Sequence, residues 1–396
     1  MSSIACPYCF KKFSRSEVLF RCTNSRAHTP APDQHLQDHW GTPHMELPAI
    51  KQSSLMSRLL DRVPKSAKCP DCGENAYNVM CPHCHNLLDR EMVEKKGVII
   101  SIVGARSSGK TNYITVLVDE LMKNCDYLGN LGILPSPLAD RDENTTERRY
   151  LNDFYNILYR KGRVQAATAI EDPRSRIPLI YKIVQQGKDP LFLVLYDTAG
   201  ENFMDPKKLE ENVKYLAVSD ATIFLLDTFN VPFVHDRLKD KMNLPELTSP
   251  TQFFEIFNKV REYFIARSDK DHFKKPMAFV FTKIDAILLN RDLFNDASPA
   301  NMSAEQNSAF LDGQGVDLDD LESVHDGMAG VLSAQAWRCT NFVNNAAQYS
   351  NHHFFGISAL GDSPVNQEVR NLRPYRVLDP LVWVMHQLKY SFPIKK

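Results

Sequence analysis

The sequence has no hydrophobic run that approaches the roughly 20 residues needed for a membrane-spanning helix. Its first residues, MSSIACPYCFKKF, also lack the apolar core of a secretory signal peptide. The first absence argues against a transmembrane segment, and the second favours a cytoplasmic protein. We therefore expect a chain that folds and acts in the cytoplasm.

An excess of charge of either sign is also lacking. The chain has 47 Lys and Arg against 48 Asp and Glu, which gives a formal net charge of −1 at pH 7. This balance argues against a globally basic nucleic-acid binder, although a local basic patch remains open. A length of 396 residues with 43% hydrophobic residues predicts about two to three domains with a sizeable core.

Cysteines are present but concentrated. Seven of the nine precede residue 85, and most of them form C-x-x-C pairs. In a chain without a secretory signal, such pairs favour metal binding over disulfide bonds. Cys125 and Cys339 stand alone, and we expect them to be buried or incidental.

Two C-P-x-C turns, separated by eight residues, follow residue 66. They contain Cys69, Cys72, Cys81 and Cys84. Four thiolates at this spacing can close a tetrahedral Zn²⁺ site between two tight turns. The sequence therefore predicts a zinc ribbon over residues 67–92.

A first zinc module is predicted over residues 1–45. Cys6, Cys9 and Cys22 supply three ligands, and His28 follows Cys22 at a workable spacing for the fourth. The alternatives for the fourth ligand are His35, His39 and His44. Residues 29–66 are rich in Pro, His, Gln and Ser and are interpreted as a loop, with the linker proper at 46–66. Modules this small need the metal to fold, and they can contact either protein or nucleic acid.

The stretch VIISIVGARSSGKT, residues 98–111, has the pattern of a phosphate-binding loop. A β-branched run over 98–103 predicts a buried strand, and G-x-x-x-x-G-K-[ST] follows it. Gly104, Ser107, Ser108, Gly109 and Lys110 would then surround the phosphates, and the hydroxyl of Thr111 would bind Mg²⁺. The next helix begins at the phosphates, so its positive end faces them.

Carboxylate and amide groups follow a second apolar strand, at 191–196. Asp197 comes directly after it and is predicted to lie at the sheet edge beside the phosphate-binding loop. There it can hold a Mg²⁺-bound water, while the backbone N–H of Gly200 can reach a γ-phosphate.

Two further predicted strands, at 277–281 and 354–357, end in residues suited to reading a purine. Asp285 can accept hydrogen bonds from the guanine N1–H and amino group, and the Lys283 stem can cover the base. Ser358 precedes Ala359, whose backbone N–H can donate to guanine O6. Adenine lacks the donor pair and would leave the carboxylate unpaired, which favours guanine.

The motifs GARSSGKT, DTAGE, TKID and SAL occur in that order, each after a predicted strand. Together, over about residues 97–390, they resemble the Ras-like P-loop GTPases of the translation-factor-related class. The resemblance implies a doubly wound α/β domain with a mostly parallel sheet, which binds GTP or GDP with Mg²⁺. The predicted domain spans 97–396, with insertions at 228–275 and 290–350.

The resemblance also implies a set of groups around the γ-phosphate. Lys110 and Gly200 would contact it. Thr168, in a loop before a predicted strand, is our choice for the switch-I threonine, because Thr145 and Thr146 lie too near a predicted helix.

Three residues depart from the family pattern. Thr282 replaces the more frequent Asn of the base motif, and Glu201 stands where many members have a water-orienting Gln. Arg106 replaces a frequent Gly. It could crowd an arginine finger supplied in trans, act in cis on the developing charge, or point to solvent.

The remaining segments carry weaker patterns. Residues 128–139 look irregular, and helices are predicted over 143–161, 251–267 and 380–390, the last packing on the sheet. The acidic stretch 312–320 is interpreted as a solvated loop, since its spacing does not match a calcium-binding EF-hand. Further strands are predicted at 177–184 and 221–226.

The order of zinc modules followed by a GTPase domain also resembles predicted bacterial GTPases of conflict or defence systems. The sequence predicts a GTP-binding and GTP-hydrolysing switch with two Zn²⁺, whose turnover is slow or partner-dependent. Its zinc modules would contact a protein partner or nucleic acid. The alternative is a non-hydrolysing, nucleotide-stabilised adaptor or scaffold that acts through its zinc modules.

Overall fold

The computed structural model describes residues 3–51, 59–95, 97–104, 107–135, 145–164, 177–196, 206–244, 246–247, 252–294, 297–313 and 315–395. The chain forms two compact units. Unit 1 comprises Met1–Ile99, Leu134–Arg149 and Ile177–Val194. Unit 2 comprises Ile100–Ile133, Tyr150–Arg176 and Leu195–Lys396.

Sixteen strands occur in the described chain. They are β1 Ile4–Ala5, β2 Lys12–Phe13, β3 Leu19–Arg21, β4 Ala31–Pro32, β5 Met45–Glu46, β6 Ala49–Lys51, β7 Ala67–Lys68, β8 Asn75–Ala76, β9 Asn78–Met80, β10 Val98–Gly104, β11 Gly132–Pro135, β12 Leu179–Val184, β13 Leu191–Leu195, β14 Ala221–Asp227, β15 Met277–Thr282 and β16 His352–Gly356.

The helices of the described chain are mostly short. They are α1 Gln34–Trp40, α2 Arg90–Lys95, α3 Lys110–Lys123, α4 Thr146–Arg149, α5 Pro206–Val218, α6 Pro232–Leu238, α7 Gln252–Ala266, α8 Asp285–Leu288, α9 Arg291–Phe294, α10 Leu318–Ser333, α11 Thr340–Ala346 and α12 Asp379–Gln387. A π-helix, Tyr150–Arg160, continues α4, and 3₁₀ turns occur at Arg15–Glu17, Thr228–Asn230, His272–Lys274 and Ala309–Asp312.

The principal sheet has seven strands in the order β11-β12-β13-β10-β14-β15-β16. The last four are parallel and closely in register, with Gly104 opposite Leu225, Asp227 opposite Thr282, and Phe281 beside the end of β16. Their carboxyl ends therefore lie along one edge. The structure confirms the predicted α/β class with a mostly parallel sheet.

Sequence periodicity located the strands of this sheet well. All six predicted strands are present, and their observed bounds differ from the predicted ones by a few residues at most. β11 is an addition, because it lies in the segment 128–139 that we interpreted as irregular. Its four residues, GILP, are too few to show a period.

Unit 2 is built around apolar strands with helices packed on them. Every residue of β14 and β15 is buried. The C-terminal helix α12 packs on both strands, which confirms the prediction for 380–390. Helix α7 also packs on β14 and agrees with the helix predicted over 251–267.

The interpretation of residues 312–320 as a solvated loop is wrong for most of the stretch. Asp317 begins α10 by accepting a hydrogen bond from the Asp320 N–H at 3.0 Å. Val316 pairs with the C-terminal segment, donating to Pro393 O at 2.6 Å and accepting from the Lys395 N–H at 3.0 Å. Asp317 caps the helix, and Asp317 and Asp320 form ion pairs with Lys395 and Arg376. Both of these partners are distant in sequence.

One buried histidine gives unit 2 a measurable pH dependence. The His272 ring stacks on Phe264 with centroids 3.4 Å apart, and its Nε2 lies 3.1 Å from the Tyr349 hydroxyl oxygen. Burial lowers the pKa of His272 to about 3. An unfolded histidine has a pKa of about 6.5. Between these values the unfolded chain binds a proton that the folded chain does not, so the free energy of unfolding falls as the pH falls.

We predict that, from pH 7.5 to pH 5.5, wild type loses roughly 1 kcal/mol more unfolding free energy than His272→Phe. The phenyl ring keeps the stacking area but cannot titrate. Urea denaturation followed by tryptophan fluorescence measures the difference. The same pH slope in both proteins would contradict the assignment.

Candidate metal centres and nucleotide site

Antiparallel pairing organises the amino-terminal part of unit 1. β3 lies between β6 and β9, with Leu19 opposite Met80 and Arg21 opposite Asn78. Because the two strands run in opposite directions, the chain before β3 and the chain after β9 meet at one end. The chain after β3 and the chain before β9 meet at the other end.

This pairing gathers the predicted metal ligands into two groups. One group, which we call cluster A, consists of Cys6, Cys9, Cys81 and Cys84, and the other, cluster B, consists of Cys22, His28, Cys69 and Cys72. Within each cluster the ligand atoms all lie within 4.8 Å of one another. Cys125 and Cys339 lie outside both clusters, and Cys339 is buried.

The distances within the clusters fit a tetrahedral zinc ion. A Zn–S bond of about 2.3 Å places two sulfur atoms of a tetrahedron about 3.8 Å apart. In cluster A, Cys6 and Cys84 Sγ are 3.7 Å apart, and Cys9 and Cys81 Sγ are 3.8 Å apart. In cluster B, Cys22 and Cys72 Sγ are 3.9 Å apart, and Cys69 Sγ lies 3.4 Å from His28 Nε2.

The grouping of ligands that we predicted is wrong. We expected Cys6, Cys9, Cys22 and His28 to form one site, and the later four cysteines to form the other. In the structure, the first pair (Cys6 and Cys9) lies with the last pair (Cys81 and Cys84). The two middle pairs lie together in cluster B, which gives a nested grouping. Spacing identifies C-x-x-C turns, but the antiparallel contact of β3 with β9 decides which turns meet.

Two related interpretations are also settled by the geometry. Among the four histidines considered, His28 is the one that the structure places in cluster B. Residues 29–66 are not simply a loop, because α1 and β6 lie within them, and β6 pairs with β3. Residues 31–51 of this segment are therefore part of the fold that holds the clusters.

The three C-P-x-C turns have the same backbone geometry. The residue after the second cysteine is left-handed in each, with φ of 60° at Phe10, 73° at Gly73 and 57° at His85. Each of these residues donates its N–H to the carbonyl oxygen of the first cysteine, at 3.0, 3.0 and 3.1 Å. Such turns aim both sulfur atoms to one side, as a metal site requires.

A buried ionic network supports the turn of cluster A. Arg21 Nη2 donates to Asp33 Oδ2 at 2.8 Å, and His85 Nδ1 lies 2.8 Å from the same oxygen. Burial acts to raise the pKa of Asp33, but the hydrogen bonds from His85 and Arg21 outweigh it and lower the pKa. Asp33 also accepts from the Leu36 N–H at 3.2 Å, capping α1. Nothing in the local spacing indicated this network.

Within unit 1, the metal-bearing segment also contacts β12 and β13. Lys182 of β12 forms an ion pair with Glu91 of α2, and its Nζ lies 3.8 Å from Asp89 Oδ2. Gly97 approaches Phe192 of β13 so closely that a Cβ atom there would lie 2.4 Å from the ring. This segment and these strands are therefore packed as one body.

A third group of possible ligands does not fit a metal. Glu322, His325 and His353 offer atoms within 4.8 Å. The Phe354 N–H donates to His325 Nδ1 at 3.0 Å, so a neutral His325 carries its proton on Nε2 and has no free lone pair. The rings of His325 and His353 stack with centroids 4.2 Å apart, so this group is better explained as ring packing.

The described residues that were predicted to form a phosphate-binding loop lie in unit 2, at the carboxyl end of β10. A Cβ atom on Gly104 would lie 2.5 Å from Ser108 Oγ, so the loop needs glycine there. Gly109 is left-handed with φ of 73°, and α3 begins at Lys110, which is 7% exposed. Ser108 Oγ is buried with no hydrogen-bond partner among the described residues. A tight turn at a helix start with an unpaired buried hydroxyl fits an anion.

The base-motif residues follow β15 in the same unit. Thr282 Oγ1 donates to Leu226 O at 3.2 Å, so this side chain is part of the sheet. Lys283 is left-handed with φ of 60°, and its Nζ donates to Asp227 Oδ2 at 2.7 Å. That ammonium also lies 4.8 Å from the centre of the Phe229 ring. Asp227 and Phe229 were missed because no motif marks them.

Asp285 lies beside the loop that follows β16. Burial raises the pKa of Asp285, and a hydrogen bond with the Ser358 side chain opposes that shift. Ser358 is buried, and Ala359 is half-buried. Because β10, β15 and β16 are parallel strands of one sheet, these groups share an edge with the phosphate loop.

Five predicted residues lie outside the described part of the chain. They are Arg106, Thr168, Asp197, Gly200 and Glu201. Thr111, the predicted Mg²⁺ ligand, is described and is the second residue of α3.

We predict that paired cysteine substitutions will distinguish the nested grouping from the sequential one. Cys6→Ser with Cys81→Ser damages only cluster A, whereas Cys6→Ser with Cys22→Ser damages both clusters. Zinc per chain, measured by elemental analysis after gel filtration, should be higher in the first double variant. The reverse order would restore the sequential grouping.

Comparison with known proteins gives a weak but extensive similarity. No protein-family model matches the chain. The chain is 24% identical over 392 residues to a putative ESX-1 scaffolding and assembly protein, SaeC, of Mycolicibacterium smegmatis. The alignment covers 96% of this chain and 97% of that protein, so it extends over both units. In the described residues, no helix is long and apolar enough to span a membrane.

Proposed function

We propose that this chain is a scaffolding protein that binds a guanine nucleotide in unit 2 and contacts protein partners through the zinc-clamped part of unit 1. The observation that carries the scaffolding role is the end-to-end similarity to a putative ESX-1 scaffolding and assembly protein. A similarity limited to a nucleotide-binding core would not extend over the zinc-binding segment.

The amino-terminal segment has properties suited to a protein contact. Met45, Leu59 and Tyr77 are more than half exposed although they are large and hydrophobic. With zinc bound, the two clusters would hold this small fold in one conformation, which would reduce the entropy that a partner has to remove. The net charge of −1 gives no support to the nucleic-acid alternative.

The nucleotide part of the proposal is supported by the edge of the parallel sheet. Within unit 2, β10, β14, β15 and β16 are parallel, so their carboxyl ends lie along one edge. Ligands of doubly wound sheets bind outside the carboxyl ends of the strands. Lys110 would pair with phosphate oxygens, and Asp285 with the base.

The donor set also fits a magnesium ion. The Thr111 hydroxyl would bind it together with phosphate oxygens, and Asp197 would hold one of its waters. The ion would neutralise part of the phosphate charge. Lys110, which is 7% exposed, would supply the protein's own positive charge.

GTP hydrolysis is a second candidate function. The observation in its favour is the left-handed Gly109 followed by Lys110 at the start of α3, which suits a bound triphosphate. Thr168, Gly200, Glu201 and Arg106 would act on the γ-phosphate as the family resemblance implies. A role in a bacterial conflict system stays a prediction.

We predict that zinc-loaded protein binds GDP and GTP with a Kd of about a micromolar or tighter and binds adenine nucleotides more weakly. Lys110→Ala should abolish binding because the phosphates lose their buried cation, while zinc content stays unchanged. Calorimetry measures the affinity. Binding that is indifferent to Lys110→Ala would contradict the phosphate assignment.

Phosphate release separates the two candidate functions. A scaffold that uses the nucleotide only for stability should release phosphate from GTP no faster than Lys110→Ala does. Release above that control, with or without a partner, would favour the hydrolysing switch.

The scaffolding role predicts a partner that depends on the metal clusters. A tagged chain cross-linked in its own cells should retain the same protein in repeated experiments. Cys22→Ser with Cys69→Ser should lose that protein and still bind GDP, because the substitutions lie in unit 1. Equal retention by both forms would contradict the assigned role of the clusters.

A further inference from the structure

The loop 358–361, which we call the base loop, is hydrogen-bonded to a later segment of unit 2. The Ser358 N–H donates to Tyr375 O at 3.0 Å, and the Tyr375 N–H donates to Ser358 O at 2.8 Å. The Arg373 N–H donates to Leu360 O at 2.9 Å. These backbone hydrogen bonds to residues 373–375 therefore fix the position of the base loop.

Arg376 fixes the end of that segment. Its φ of 51° is uncommon for a residue with a side chain, and its side chain is 1% exposed. Its guanidinium makes a bidentate pair with Asp320, at 2.8 and 2.7 Å, and Nη1 donates to Asp379 Oδ2 at 2.7 Å. Burial acts to lower the pKa of Arg376, but Asp379 and Asp320 outweigh it, so the guanidinium stays charged.

The partners of Arg376 come from separate parts of unit 2. Asp320 belongs to α10 in the inserted segment 290–350, and Asp379 begins α12. The inserted segment contributes two more contacts. Ser308 Oγ donates to Asp379 Oδ1 at 2.5 Å, and Asn307 Oδ1 accepts from the Arg376 N–H at 2.8 Å.

The base loop in turn sets the geometry of the proposed purine contacts. Ser358 Oγ accepts from the Gly361 N–H at 2.8 Å, which closes the loop on itself. The N–H of Ile284, which precedes Asp285, donates to Ile357 O at 3.1 Å, directly before the base loop. A shift of the loop would therefore displace the Ala359 N–H relative to Asp285, the two groups assigned to guanine.

We propose that Arg376 is a positioning residue for base recognition, which holds the base loop through its ion pairs with Asp320 and Asp379. The inference rests on the proposed nucleotide site and deepens it. It assigns the inserted segment 290–350 a role in guanine specificity. A misplacement of about 1 Å in such contacts can reduce affinity or rate by about a hundredfold.

Arg376→Lys is the first test variant, because lysine keeps the charge but cannot form the bidentate fork. Asp320→Asn is the second test variant. It removes the negative charge that pairs with the Arg376 guanidinium, and the Asp320 side chain is 14% exposed. His272→Phe serves as the control for lost stability, because His272 contacts none of these groups. GDP, IDP and ADP are titrated by calorimetry. IDP lacks the exocyclic amino group from which Asp285 would accept a hydrogen bond.

We expect Arg376→Lys to weaken GDP binding by about tenfold or more and to lower the GDP-to-IDP affinity ratio. His272→Phe should lower thermal stability and leave that ratio unchanged. Amide hydrogen exchange of the apo protein should show faster exchange at residues 358–361 in Arg376→Lys and Asp320→Asn, with β14 and β15 unaffected.

A merely structural ion pair would change stability but not the GDP-to-IDP ratio, and that result would overturn the inference while the proposed function stands. If Arg376→Lys fails to fold, the ratio in Asp320→Asn decides the matter in the same way. Absence of guanine-nucleotide binding in wild type would overturn both proposals.

Discussion

The parallel alignment of β10, β14, β15 and β16 is the constraint on which the proposed site depends. Hydrogen bonding in register places the residues after each strand along one edge of the sheet. Residues separated by some 250 positions, such as Lys110 and Ser358, thereby come to the same edge. The sheet fixes the positions of the loops, and each loop contributes a different functional group.

Long-range pairing has the same consequence in the amino-terminal part of unit 1, although the strands β1 to β9 there are only two or three residues long. The antiparallel contact of β3 with β9 brings the first C-x-x-C turn to the last one and leaves the middle ligands to form cluster B. Strands this short are too weak to hold the fold alone. The metal ions would supply the missing free energy of folding, as they do in other small metal-bound domains.

The sequence predicted local features far better than it predicted their partners. Strand positions, the helix that begins at Lys110 and the eight candidate metal ligands follow from patterns of fewer than about 20 residues. The nested grouping, the role of Asp33 beside cluster A, and the pairing of Asp320 and Asp379 with Arg376 do not. Each of these joins residues distant in sequence, and charge patterns do not reveal whether a carboxylate faces solvent or a buried guanidinium.

In the proposed function, the segment with the two cysteine clusters contacts protein partners, and one edge of the parallel sheet binds a guanine nucleotide. The end-to-end similarity to a putative scaffolding and assembly protein supports the first role, and the geometry of the phosphate and base loops supports the second. Arg376 would connect the inserted segment to the second role.

The most direct test of the central claim is the nucleotide preference of Asp285→Asn. A carboxylate accepts from the guanine N1–H and amino group, whereas a carboxamide can accept from the N1–H of xanthine and donate to its 2-oxo group. Calorimetry on zinc-loaded protein should therefore show that wild type prefers GDP over XDP and that Asp285→Asn prefers XDP. The same ranking in both proteins would contradict the assignment of this pocket to guanine.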